Sequence, residues 1–228
     1  MSWLVTNKRS FFHEQAAMFT LIGVMIAVYT CQMLTPFALQ LAFMTTPAKV
    51  VESWNHLLSG SVGLLDLWAF ATLITYAFMH GSLDHLGSNL LFYWVFGALI
   101  NELLGWRWLL GIVLLTAIGG GITHTAMNPE VAGPMVGASG VVSGFMGAYL
   151  GLSVRWHLPD PHIWPIARPV PPTNLAILAV IFVAIDYRAI FAQTASMTAY
   201  GAHVGGFTMG LFLASFITPR PAQAEGRR

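Results

Sequence analysis

Long apolar runs separated by short polar or proline-containing segments dominate this chain of 228 residues. A helix needs about 20 mostly apolar residues to cross the hydrocarbon of a bilayer. Prolines such as Pro36, Pro129 and Pro134 mark the breaks, because proline cannot continue a helix. The pattern predicts an all-α, polytopic membrane protein with six transmembrane helices. The predicted spans are residues 16–34, 83–103, 108–127, 139–156, 174–191 and 198–217.

The connection between the first two spans, residues 35–82, is long and itself rich in Leu, Phe and Trp. Tryptophan favours the headgroup region of a bilayer. Trp54 and Trp68 therefore predict that part of this connection lies in the membrane interface.

Composition agrees with the pattern and excludes other classes. The chain is 56% hydrophobic and 8% charged, which is too apolar for a soluble domain of this size. The net charge is +1 and the basic residues are scattered, so no nucleic-acid partner is expected. The single cysteine, Cys31, has no partner for an internal disulfide, and we interpret it as a small core residue.

The distribution of Lys and Arg predicts the orientation, because positive charge is retained in the cytoplasm. Eight of these residues fall on the side of the N-terminus and two, Lys49 and Arg188, fall opposite. Both termini are therefore predicted to be cytoplasmic. We expect one membrane domain over residues 1–228, with an N-terminal cytoplasmic segment (1–15), a six-helix core (16–217) and a cytoplasmic tail (218–228). The residues on the N-terminal side are Lys8, Arg9, Arg107, Arg155, Arg168, Arg220, Arg227 and Arg228.

The stretch from Pro134 to Gly140 places one hydroxyl, that of Ser139, among small residues at the start of the fourth span. Free backbone N–H groups at a helix N-terminus can hold a developing oxyanion, so Ser139 is a candidate nucleophile for acyl transfer. The same small residues are also typical of close helix packing in membranes. This stretch alone leaves both interpretations open.

His203, near the outer end of the sixth span, is the candidate base for Ser139, because a serine nucleophile needs one. Small residues recur at helical spacing on both spans and would allow close backbone approach. Metal or haem ligation by His80, His85, His124 and His203 is the alternative, although the sequence has no His-Glu-x-x-His pattern. The small residues are Gly140, Gly144, Gly147 and Gly151 on the fourth span, and Ala202, Gly206, Gly210 and Ala214 on the sixth.

A second polar group opens the second span. His85 and Asn89 are four residues apart and share one helical face. Facing inward at the depth of Ser139, both could donate hydrogen bonds to an oxyanion. His124 is interpreted as structural, and His13, His56, His157 and His162 as surface groups.

Three motifs together resemble the rhomboid intramembrane serine proteases over residues 75–210: His80-x4-His85-x3-Asn89, Gly137-Ala138-Ser139-Gly140, and Ala202-His203-x2-Gly206-x3-Gly210. The resemblance implies a Ser139–His203 catalytic dyad with no acid member. It also implies an oxyanion hole from His85, Asn89 and the Ser139 backbone, and a Gly137 that keeps the approach to the serine open. His80, Gly140, Gly206 and Gly210 would be supporting residues.

The chain departs in two features from a well-studied branch of that family. Ala71 and Thr72 stand where a Trp-Arg pair braces the first loop, and Ser143 stands where an aromatic ring stacks on the catalytic histidine. Tyr200 or Phe145 are then the expected neighbours that orient His203.

The sequence thus predicts a serine endopeptidase that cleaves transmembrane proteins in or near their membrane segments, without metal or other cofactor. Its partners would be transmembrane substrates and the lipid bilayer. The expected location is a bacterial inner or plasma membrane, with the site opening to the non-cytoplasmic side. The alternatives are a non-catalytic membrane-protein binder of the same fold and a channel or transporter, which would line several helices with polar residues.

Overall fold

A computed structural model describes residues 15–158, 171–192, 198–220 and 225–226. Residues 1–14 of the predicted N-terminal cytoplasmic segment, which include His13, lie outside the described residues, as do His162 and most of the tail. Two 3₁₀ turns cover Leu41–Phe43 and Tyr76–Phe78, and a short strand β1, Trp156–His157, pairs antiparallel with β2, Glu225–Gly226. The α-helices are α1 Ala16–Leu34, α2 Phe37–Gln40, α3 Pro47–Ser59, α4 Leu64–Thr75, α5 Leu83–Leu104, α6 Trp106–Met127, α7 Ser139–Arg155, α8 Pro172–Phe191 and α9 Tyr200–Ala214.

Each predicted span coincides with one helix, namely α1, α5, α6, α7, α8 and α9, with ends that differ by up to three residues (217 predicted, Ala214 observed). By length and hydropathy, α1, α6 and α8 can each cross a membrane, and α4 with α5 forms a further apolar pair bent by 82°. The protein is therefore a multi-pass membrane protein. With 17 and 15 residues, α7 and α9 are shorter than these helices, so six membrane crossings stay a prediction. The orientation of the termini also stays a prediction.

Helix α7 lies at the centre of the bundle, and its side chains are buried on nearly every face. Phe145, Tyr149 and Leu152 are at most 1% exposed. A helix that is apolar all round is stable only when other elements surround it. Here α5, α6, α8 and α9 all pack against it.

Small residues bring α7 and α9 into backbone contact, as their spacing predicts. A Cβ atom at Gly206 would overlap the carbonyl oxygen of Gly140, and one at Gly210 would overlap that of Gly144. A Cβ at Gly147 would overlap the carbonyl oxygen of Phe207. We call this contact the glycine seam; it sets how closely the N-terminal ends of α7 and α9 approach.

The long connection between α1 and α5 folds into α2, α3 and α4 and is braced by hydrogen bonds rather than by a Trp-Arg pair. Trp68 Nε1 donates to the Ala42 carbonyl at 2.7 Å, and Thr45 Oγ1 donates to the Thr72 carbonyl at 2.8 Å. The Met135 N–H donates to the Thr45 carbonyl at 2.7 Å. The connection therefore also supports the irregular segment that precedes Ser139.

Many large apolar side chains lie on the outside of the bundle, where lipid would solvate them. In the most apolar windows of α1 and α8, 17% and 22% of residues are buried, against 50% in α6. Trp54 and Trp68 are also exposed, which is compatible with the predicted interfacial position. Cys31 lies on this outer surface, so its interpretation as a core residue is wrong. An apolar run in a membrane protein does not distinguish a core-facing from a lipid-facing position.

Candidate active site

Ser139 is the first residue of α7, and the chain reaches it through a constrained turn. Gly137 has φ +124°, a conformation that residues with a side chain rarely adopt. Its N–H donates to the carbonyl of Tyr76 at 3.0 Å, and the Tyr76 hydroxyl donates to the Ala117 carbonyl at 3.0 Å. The fully buried Tyr76 is therefore anchored to α6 through its hydroxyl and holds the turn through its backbone carbonyl. The first N–H groups of α7 have no partner within the helix.

The side chain of His203, from the first turn of α9, meets Ser139 directly. Its Nε2 lies 2.8 Å from Ser139 Oγ, which is hydrogen-bond distance. The two residues are 64 positions apart in the chain, and the glycine seam brings their helices together. With its Nδ1 protonated, His203 can accept the serine proton at Nε2.

A carboxylate occupies the other side of the histidine ring. Asp186 Oδ2, from α8, lies 3.1 Å from His203 Nδ1. The two side chains are 12% and 15% exposed, respectively. The resemblance implied a pair without an acidic member, and the structure departs from it here. Ser139, His203 and Asp186 form a continuous hydrogen-bonded chain across α7, α9 and α8.

His85 and Asn89 line the turn before Ser139. A Cβ atom at Gly137 would lie 2.7 Å from the His85 ring and 3.7 Å from Asn89 Nδ2, so only glycine leaves room for them. Asn89 is 5% exposed, and its Nδ2 has no hydrogen-bond partner among the described residues. A buried amide without a partner is costly, so a free donor beside the turn at Gly137 indicates a place for an acceptor group.

The start of α5 is arranged so that His85 faces this turn. Ser82 caps the helix by accepting from the His85 N–H at 3.1 Å. Before it, His80 is held through its backbone by Gln32 of α1, which accepts from the His80 N–H at 3.0 Å and donates to its carbonyl at 3.1 Å. The 1% exposed ring of His80 packs edge-on against His85, with centroids 5.3 Å apart. His80, predicted only as a supporting residue, thus contacts the ring of His85.

The remaining candidates have clear positions. Gly140, Gly206 and Gly210 lie in the glycine seam. Tyr200 lies edge-on to His203 with centroids 6.3 Å apart, whereas Phe145 packs on Tyr93 and does not orient His203.

The other histidines lie elsewhere. His124 is part-buried at the end of α6, where its carbonyl accepts from Asn128. His56 pairs with Asp66 outside the site, and His157 is exposed in β1. Within the described part of the chain, no group of three or more His, Cys, Asp or Glu side chains could hold a metal ion.

Comparison with known proteins identifies the class. A family model described as the Rhomboid domain matches residues 66–220, more than half of the chain, so the protein belongs to the rhomboid family. The chain is similar to Rhomboid protease GlpG of Yersinia pestis (strain Pestoides F), with 26% identity over 192 residues, 82% of this chain and 61% of the relative. It is also similar to Rhomboid protease GlpG of Serratia proteamaculans (strain 568), with 29% identity over 161 residues, 71% of this chain and 52% of the relative. The chain thus spans between half and two thirds of the length of these relatives.

Two residues at the site were missed by the sequence analysis. Asp186 is the only acidic residue in the predicted fifth span, and an ionisable side chain inside such a span marks a functional position by default. The position of Asp186 inside a predicted span could therefore have indicated it as a candidate from the sequence alone. Gln32 is also a polar residue in an apolar run, but nothing in the sequence shows that it contacts His80.

Proposed function

We propose that this protein is an intramembrane serine endopeptidase that hydrolyses peptide bonds in or near the transmembrane segments of other membrane proteins. The observation that carries the proposal is the 2.8 Å contact between Ser139 Oγ and His203 Nε2 at a helix N-terminus. A nucleophile within hydrogen-bond reach of a base is the arrangement that covalent acyl transfer requires. Family membership supports the same reaction class.

In the proposed reaction, Ser139 Oγ attacks the scissile carbonyl carbon while His203 Nε2 takes the serine proton. The tetrahedral intermediate carries a negative oxygen, which the Ser139 N–H and the side chains of His85 and Asn89 stabilise. The C–N bond then breaks, and His203 returns the proton to the leaving amine. The acyl-enzyme is hydrolysed by a water that His203 deprotonates in turn.

The surroundings of Ser139 suit a reaction that needs both a dry pocket and access for water. The segment before Ser139 is non-helical, and such backbone is tolerated at membrane depth only where protein or a water-filled cavity surrounds it. A substrate helix must unwind locally to present its carbonyl, so segments with small or helix-breaking residues are the expected substrates. The proposed location is a bacterial inner membrane, with the site open to the non-cytoplasmic side.

Cleavage of a tagged transmembrane substrate by purified protein in detergent tests the proposal. Wild type should cleave it, and Ser139→Ala and His203→Ala should each lower kcat by roughly 10⁶-fold, to background. Ser143→Ala, one turn further along α7, is the matched control and should cleave at the wild-type rate. Equal cleavage by wild type and Ser139→Ala would exclude the serine mechanism.

A non-catalytic rhomboid-fold binder of membrane proteins is the alternative. It needs no contact between a nucleophile and a base, and so does not account for the pairing of Ser139 with His203. Its signature in the same experiment would be capture of the substrate without cleavage.

A further inference from the structure

We propose that Asp186 is a positioning residue that fixes the tautomer and orientation of His203, which makes the site a three-membered relay rather than a dyad. The inference rests on the proposed function and deepens it. Three observations carry it: the contact distance, the burial of the carboxylate, and its place on α8.

The contact between Asp186 and His203 uses the ring nitrogen that faces away from Ser139. Asp186 Oδ2 lies 3.1 Å from Nδ1 of His203, and Nε2 of the same ring lies 2.8 Å from Ser139 Oγ. With the carboxylate of Asp186 as the acceptor of this bond, Nδ1 carries the proton. Nε2 then keeps its lone pair towards the serine. This is the tautomer in which His203 can act as a base.

The carboxylate is buried where a charge is expensive. The side chain of Asp186 is 12% exposed, and it continues the inward face of α8, which also buries Leu175 and Ala179. Intramembrane acidic residues are rare and pair with another group when they occur. Among the described residues, the side-chain partner that the structure gives Asp186 is His203. The charge thus lies where a protonated His203 would form during the reaction.

The carboxylate of Asp186 restrains the ring of His203 in a way that the other neighbours of this ring do not. Ser143 lies one turn after Ser139 and has no ring to stack on the histidine. Tyr200 meets the ring of His203 only edge-on, with centroids 6.3 Å apart. Neither contact selects which ring nitrogen is protonated. The hydrogen bond to Asp186 does so.

Two variants of Asp186 separate positioning from a purely structural tie between α8 and α9. Asp186→Asn should lower kcat by up to about 10⁴-fold, because a neutral amide can also stabilise the wrong tautomer. KM should change little, since the carboxylate does not touch substrate. Asp186→Glu should recover part of the rate. Tyr187→Phe, on the next residue of α8, is the matched control and should leave both constants unchanged.

A spectroscopic readout tests the same claim without requiring activity. In protein labelled with ¹⁵N-histidine, the His203 signals, assigned by their loss in His203→Gln, should report protonated Nδ1 in wild type. Asp186→Asn should shift them towards the Nε2-protonated tautomer. An unchanged tautomer, or an Asp186→Asn kcat within twofold of wild type, would overturn the inference. Failure of wild type to cleave would instead count against the proposed function, while the tautomer would still decide the role of Asp186.

Discussion

Gly206 of α9 lies so close to Gly140 of α7 that a Cβ atom on Gly206 would overlap the Gly140 carbonyl oxygen. Gly140 directly follows Ser139, and Gly206 lies three residues after His203. One of the backbone contacts between the two helices is therefore beside the two side chains that meet. Packing and chemistry at this site depend on the same glycines.

Replacing Gly206 by alanine should separate the two helices and damage both stability and activity. Overpacking a well-packed contact costs about 1–3 kcal/mol, and here the obstacle is rigid backbone. We expect a lower thermal midpoint in detergent and a lower kcat. Gly111→Ala on α6 is the control, because nothing lies within 4 Å of its added Cβ. If both variants unfold like wild type, the glycine seam does not determine the approach of α7 and α9.

Replacing Asn89 by alanine should slow the chemical step more than it weakens substrate binding. Its free Nδ2 is expected to bond only the oxyanion, and loss of one such donor typically costs about 10²–10³ in kcat. His85→Ala should behave similarly. Gly87→Ala, on the same helix, serves as the control, because nothing lies within 4 Å of its added Cβ. A fall in affinity at unchanged kcat would instead assign these residues to substrate binding.

The pair of His56 and Asp66 in the first connection should make stability depend on pH. The hydrogen bond from His56 Nδ1 to Asp66, at 2.8 Å, raises the pKa of His56, and the charge of Asp66 raises it further. Glu52, on the same helix as His56, acts in the same direction. A raised folded-state pKa stabilises the fold fully below the ordinary value, and this stabilisation is lost as pH rises through the raised pKa.

Thermal unfolding of His56→Gln therefore tests this pair. The variant should melt below wild type at pH 5.5, and the difference should shrink towards pH 9. Asn55→Gln, which changes no charge, should show the same difference at both pH values. A deficit of His56→Gln that grows with pH would contradict the assignment.

The sequence was sufficient to predict the helices, which are encoded locally, and the family resemblance added the pairing of Ser139 with His203. Apolar runs and prolines define the six helical segments. The small-residue repeats around Ser139 and His203 predict that their helices touch. These signals depend on spacing within one helix and do not require the full fold.

Which side chain of a helix faces the site depends on the rotation of that helix relative to distant helices, and local sequence patterns do not encode this rotation. α8 is apolar on most faces, so its pattern does not show that Asp186 faces His203. Gln32 and Cys31 are neighbours on α1, yet one is buried against His80 and the other is exposed. An apolar helix face can be exposed to lipid, whereas in water it must be buried. The separation of apolar and polar faces, which orients a helix in a soluble protein, is therefore missing in a membrane helix.

Reaction with a fluorophosphonate probe tests the central claim, that Ser139 is an activated nucleophile, most directly. Purified protein is treated with the probe, and the modified residue is located by mass spectrometry. We expect one adduct on Ser139 in wild type and none in Ser139→Ala or His203→Ala. An unlabelled wild type, or equal labelling of Ser139→Ala, would contradict it.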